Sequence, residues 1–108
     1  IARAEAEADR SAAAETSLTA SLAARISATE QALATVLKAI ANLDSNGLPA
    51  SQRAVDASLE AYRSGKMELL PVLVARRELQ LARTRRLDLV ERAWRSYGEW
   101  IALTGEKP

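Results

Sequence analysis

The sequence predicts an all-α fold, a long antiparallel helical hairpin with coiled-coil character, and three observations carry that reading. Of the 108 residues, 48% are apolar, yet 23 of them are Ala and none is Phe. Ala is the strongest helix former but buries little surface per side chain, so it suits long helices packed closely rather than a thick globular core. A stripe of Leu22, Ile26, Thr29, Leu33, Val36, Ile40 and Leu43, apolar but for Thr29, recurs in alternating steps of four and three, the spacing of a coiled-coil seam. Between Pro49 and the C-terminal end, Gly65 is the only plausible hard corner, because glycine enters left-handed backbone without a Cβ penalty. No strand signal occurs.

The first arm is read as residues 2–64. Residues 2–17 are strongly helical in propensity but almost free of large apolar groups, so they lack a packed face of their own. Fully helical, residues 2–44 would run for about 65 Å at 1.5 Å per residue, too long for a compact domain. Asp44-Ser45-Asn46-Gly47-Leu48-Pro49 then interrupts the stripe; Asn-Gly signals a turn, and Pro49 suits the start of a renewed helix. The seam resumes at Leu48, Val55, Leu59 and Tyr62, one residue out of phase. A kink or short break near 44–49 would absorb that slip. A true reversal, stacking three helices side by side, is the alternative. The shortness of 49–64 favours the kink.

The tip turn is expected at 64–67, with Gly65 as the residue after the helix end. The second arm is expected from Met67 or Glu68 to Thr104, with an acid near the positive end of the helix dipole and Pro71 inside the first turn. Leu69, Leu70, Val72, Leu73, Leu79 and Ala82 lead into a second stripe of Leu87, Val90, Trp94, Tyr97 and Ile101. On this spacing Trp94, Tyr97 and Trp100 are core or seam residues, with a membrane-interface role as the alternative. Thr104-Gly105-Glu106-Lys107-Pro108 carries a second glycine stop with a proline behind it.

The same residues narrow the function. With no Cys and no His, disulfides, thiolate sites and imidazole ligands are excluded. No nucleophile lies beside a base, no glycine-rich phosphate loop occurs and no metal-ligand spacing is present, so neither an enzyme nor a cofactor is expected. Glu5, Glu7 and Asp9 alternate along a helix and do not converge. Charge is uneven: residues 1–60 hold five basic and eight acidic groups, and residues 61–108 hold ten and six. Arg76, Arg77, Arg83 and Arg86 fall roughly on one side of a helix, which admits nucleic-acid binding. Glu78, Asp88 and Glu91 interleave with them, and Arg equally pairs with a neighbouring helix or covers apolar surface. The chain starts at Ile1 within a helical pattern and holds no apolar run of membrane-spanning length, and it is read as a segment of a longer protein. Apolar groups at the end of a rod, Met67, Leu69 and Leu70 beside Lys66, want a partner.

Leu48-Pro49-Ala50, the stretch Ala61-Tyr62-Arg63-Ser64-Gly65-Lys66-Met67-Glu68-Leu69-Leu70-Pro71-Val72-Leu73-Val74-Ala75-Arg76-Arg77-Glu78-Leu79, and a long helix ending Leu103-Thr104-Gly105 together resemble the C-terminal repeat of TolC-family outer-membrane efflux proteins. Tyr62, Gly65, Leu69, Val72, Leu73, Ala75 and Arg76 fall in the order of that family's pattern. The Leu-Pro and Thr-Gly elements look most like its heavy-metal, CzcC-type branch. The likeness covers residues 48–105, and residues 1–47 match only as an Ala-rich helix upstream. It implies one periplasmic hairpin of a homotrimeric Gram-negative outer-membrane channel, exporting metal cations or drugs. The tip would dock to a periplasmic adaptor (membrane fusion) protein that links it to an inner-membrane RND-type pump. On this resemblance Tyr62, Gly65, Lys66, Leu69 and Leu70 are docking and tip positions, supported by Val72, Leu73 and Arg76. Some relatives place acidic residues on the first turns after the tip; Pro71 and Val74 stand there, so an acidic gate does not carry over. Without β-strands, the segment would neither insert in a membrane nor conduct by itself. A generic coiled-coil interaction hairpin is the alternative, and an Arg-rich nucleic-acid-binding hairpin a more distant one.

Overall fold

A computed structural model describes residues 1–105. Three α-helices, α1 (Ala2–Asn42), α2 (Leu48–Arg63) and α3 (Leu69–Thr104), form a rod of 93 × 25 × 15 Å. A five-residue π-helical segment, Leu43–Gly47, joins α1 to α2 without a change of direction. Helix α3 runs back along α2, the π segment and α1. Among the described residues α1 and α2 do not pack on each other, so the three-helix stack is excluded and the first arm is one continuous rod. The fold is the expected antiparallel hairpin.

The π segment accounts for the one-residue slip between the two halves of the first-arm seam. Leu48 N–H reaches back to Leu43 C=O, five residues away, so one residue is inserted into the α ladder. Pro49 offers no N–H, and a widened turn lets the backbone continue past a missing donor. Asn46-Gly47 makes no turn: Gly47 has φ −65° and ψ −51°, ordinary helical values. Asn46 Nδ2 instead donates to Asn42 Oδ1 at 2.8 Å, and Ser45 Oγ donates to Ala41 C=O at 2.7 Å. Local polar side chains thus hold the wound form.

The chain reverses at a Schellman stop. Gly65 adopts φ +75°, its N–H donates to Tyr62 C=O at 3.0 Å, and Lys66 N–H donates to Ala61 C=O at 2.8 Å. Helix α3 begins at Leu69, with Glu68 as an extended N-cap (φ −73°, ψ 168°), rather than at Met67 or Glu68. Pro71 sets that boundary. A helix starting at Met67 would aim the Met67 carbonyl at the N–H that Pro71 lacks, whereas a start at Leu69 leaves Pro71 among the donors that have no helical partner anyway. At the other end α3 stops on Gly105, φ +72°, whose N–H donates to Ile101 C=O at 2.8 Å. Glu106, Lys107 and Pro108, the remainder of that expected stop, lie outside the described residues.

Two cross-arm contacts fix the register: Asp44 with Arg86, and Glu30 with Trp100. They place Thr104 level with Ile26. Residues 2–21 therefore overhang the end of α3, and all of them are exposed. The core is thin, with Val55, Val72, Leu79 and Leu89 as its buried apolar residues. Thr29 and Ser58 are buried beside them, each returning its hydroxyl to a carbonyl of the preceding turn. No buried side-chain polar atom lacks a partner among the described residues.

Candidate functional site: the hairpin tip and the apolar face

Five of the residues singled out by sequence come together at one end of the rod. Tyr62 is 42% exposed on the last turn of α2, Gly65 makes the corner, and Lys66 projects from it. Leu69 and Leu70, 47% and 67% exposed, occupy the first turn of α3 beside Met67 at 38%. Ser64 Oγ donates to Glu60 C=O at 3.0 Å and Ala61 C=O at 3.2 Å, so the last turn of α2 is capped from its own side chain. The turn is closed by backbone bonds, and its large side chains are left outside. They form an apolar, weakly basic knob.

The three supporting positions divide. Val72, 2% exposed, is the most deeply buried side chain and packs the first full turn of α3 against α2. Leu73 is 50% exposed, and Arg76 is exposed without an ion pair among the described residues. Pro71 and Val74, where an acidic gate would stand, are also exposed.

From Arg86 onward the seam of α3 lies one residue away from the second stripe read in the sequence, whereas Val72, Leu79 and Ala82 lie on the seam. Val72, Ala75, Leu79, Ala82, Arg86, Leu89, Ala93, Ser96 and Trp100 face the first arm in steps of three and four. Arg86 hides this pattern, since a guanidinium seldom marks a seam. Its partner explains it: Arg86 Nε donates to Asp44 Oδ1 at 2.6 Å and Nη2 to Oδ2 at 3.2 Å, a two-pronged grip on the π segment. That hydrogen bond holds the Asp44 carboxyl below the usual carboxylate range, with partial desolvation opposing it. An Arg at a heptad position opposite an Asp in the broken stripe was the available signal. Leu89, Ala93 and Ser96 were missed because Leu87 and Trp94 outweighed them by size.

Leu87, Val90, Trp94, Tyr97 and Ile101 therefore form a flank, not the core. Leu87 is 68% and Trp94 69% exposed, which corrects the placement of Trp94 in the seam; Tyr97, Trp100 and Ile101 are half-buried. Trp94 meets Tyr97 edge-on and Tyr97 stacks on Trp100, each pair with centroids 6.2 Å apart. Trp100 Nε1 donates to Glu30 Oε1 at 3.1 Å, tying the aromatic row to α1. Val90, Ala93, Trp94 and Tyr97 with Leu33, Leu37 and Ile40 line an open apolar groove of about 500 Å³ between the arms.

The Arg run does not converge into a phosphate cradle. Arg86 is committed to Asp44, Arg76, Arg77 and Arg83 are exposed, and Glu91 draws Arg95 into a 2.7 Å pair on the same helix. Among the described residues no group of carboxylates is placed to hold a metal, and no helix is long and apolar enough to cross a membrane. Comparison with protein-family models, curated proteins and solved structures gave no match.

Proposed function

We propose that this chain is a wall-and-tip segment of a periplasmic export conduit of the TolC type, one hairpin of a homotrimeric outer-membrane channel. Its tip docks to a periplasmic adaptor protein that connects the channel to an inner-membrane pump. The observation that carries this reading is the tip: an apolar knob of Tyr62, Met67, Leu69 and Leu70, held by a backbone-closed glycine corner at the end of a 93 Å rod. Unpaired apolar groups at such a point are suited to a protein partner. The order of Tyr62, Gly65, Leu69, Val72, Leu73, Ala75 and Arg76 supplies the resemblance on which the partner's identity rests. In this scheme Tyr62, Leu69 and Leu70 make the contact, Lys66 adds charge, and Val72 fixes the tip to the arms. The conduit is passive, and cations or drugs pass without a binding constellation. With Pro71 and Val74 after the tip, the entrance carries no acidic ring of its own.

The test is made in the full-length protein. Tyr62→Ala removes a contact, and Gly65→Pro forbids the φ of +75° on which the turn depends. Both should abolish metal or drug resistance while the trimer still assembles. Unchanged resistance with either variant would end the docking role.

The exposed apolar groove favours a second reading, a hairpin that pairs with other helices through its flank.

A further inference from the structure

We infer that the π segment is a pivot and that α2 has a second register on α3, turned by one residue. In that register Leu43–Gly47 winds as ordinary α-helix. Gly47, Ala50, Ala54, Ala57 and Ala61 then face α3 in place of Leu48, Ser51, Val55, Ser58 and Tyr62. The inference does not depend on the export reading.

The first support is phase. The first-arm seam steps by four and three as far as Leu43, then by five to Leu48, and the π turn stores the extra residue. An unbroken α ladder would carry the same spacing on to 47, 50, 54, 57 and 61. Every residue there is Gly or Ala, so nothing bulky or charged keeps that face off α3. A slip the other way would bring Pro49, Gln52, Asp56, Leu59 and Arg63 to the seam. Burying Asp56 and Arg63 without partners forbids it. Turning is open in one direction only. On α3 the facing positions Val72, Ala75, Leu79 and Ala82 alternate large and small, and small residues on both helices let the axes approach to about 8 Å.

The second support is the placing of the cross-arm bonds. Among the described residues they hold α1 and the π segment, through Glu30–Trp100 and Asp44–Arg86, and none reaches from α2 to α3. Buried Ser58 donates its hydroxyl to the Ala54 and Val55 carbonyls of its own helix, so turning α2 breaks none of its side-chain hydrogen bonds. Packing alone holds α2, on a pivot whose far side is pinned. Pro49 sets the resting register: in an unbroken helix its ring would meet Ser45 C=O, which the widened turn avoids. One residue is about 100° of helix, so turning takes Tyr62 away from its present place and sets Ala61 there. The displacement is about 3.8 Å, one Cα step, taken up by Ser64–Glu68 outside either helix. What the tip presents is thus decided at the π segment, about 22 Å along the helix.

The experiment is disulfide formation in glutathione buffer with the 108-residue chain, which has no native Cys. Ala75 lies six residues after the start of α3 and Ala57 six before the end of α2, so the two are level. Ala75→Cys is paired in turn with Ser58→Cys, Ala57→Cys and Leu59→Cys. The Ser58→Cys pair reports the resting register and the Ala57→Cys pair the turned one. The Leu59→Cys pair, on the opposite flank, reports peeling of α2. Pro49→Ala should populate the turned register about 100-fold more and speed the Ala57→Cys pair at least about 10-fold, with the Leu59→Cys pair unchanged. With Ser45 deleted, an unbroken α-helix keeps Ser58 on α3, and Pro49→Ala should no longer speed the Ala57→Cys pair. No increase for Ala57→Cys, an equal increase for Leu59→Cys, the same increase with Ser45 deleted, or a loss of helix by circular dichroism on Pro49→Ala would each overturn the inference.

Discussion

At the tip, backbone geometry does the work: two hydrogen bonds and one positive φ reverse the chain, Pro71 sets where α3 begins, and Val72 is buried one turn away. At the open end, side chains do it: Trp94, Tyr97 and Trp100 bridge toward α1, but they leave a groove and a long exposed overhang. The tip is closed within itself and offers a small knob. The open end is unfinished and offers a broad apolar face. The difference is between a small closed knob at one end and an open apolar groove along the arms.

Substitutions near the tip should be the costliest. Val72→Asp places a charge without a partner at the most buried side chain, and we expect a loss of about 3 kcal/mol or more by chemical denaturation. The equivalent change at Leu87, 68% exposed, should leave the stability of the isolated hairpin nearly unchanged. Equal losses would dissolve the contrast between the two ends. Next comes Gly65→Ala, which keeps the turn but forces a Cβ into left-handed backbone at φ +75°, at about 1–2 kcal/mol.

Gly98 and Gly47 sharpen the comparison in the opposite direction. A Cβ at Gly98 meets nothing within 4 Å, so Gly98→Ala should stabilise α3 by about 0.5–1 kcal/mol. At Gly47 the same Cβ would lie 2.7 Å from Leu43 Cδ1, and the Leu43 side chain must move. Gly47→Ala should therefore gain less, or lose, by thermal unfolding. The smallest effect is expected at the Asp44–Arg86 pair, which is well exposed. Because the folded state lowers the Asp44 pKa, its contribution is present above the unfolded carboxylate value of about 3.9 and fades as pH falls through the lower folded value. Asp44→Asn should remove that acid-limb dependence and much of the salt sensitivity, and the swap Asp44→Arg with Arg86→Asp should restore part of it.

How much of this was legible in the sequence follows the same division. Gly65, Pro71 and the first-arm stripe act locally, through φ, a missing donor and helical period, so the turn and the continuous hairpin could be read from them. The second half of the α3 seam could not, because heptad phase is set by the partner helix, although Val72, Leu79 and Ala82 already lay on it. Leu87 and Trp94 offered a larger stripe one position away, and Arg86 sat in the true seam. Nor did Asn46-Gly47 predict a π turn, since the dipeptide's turn preference was overridden by helix on both sides and by α3 packed along it. The side chains proposed to dock were found as a motif; their exposure required the fold.

We propose the tip as the working end of an export machine. Cysteine cross-linking in cells with the full-length protein tests it most directly. With Lys66→Cys and a thiol- and amine-reactive linker, a covalent adduct to the periplasmic adaptor is expected. Lys38→Cys on α1, well removed from the tip, should give none. No adaptor adduct at position 66, or equal adducts at both positions, would contradict it.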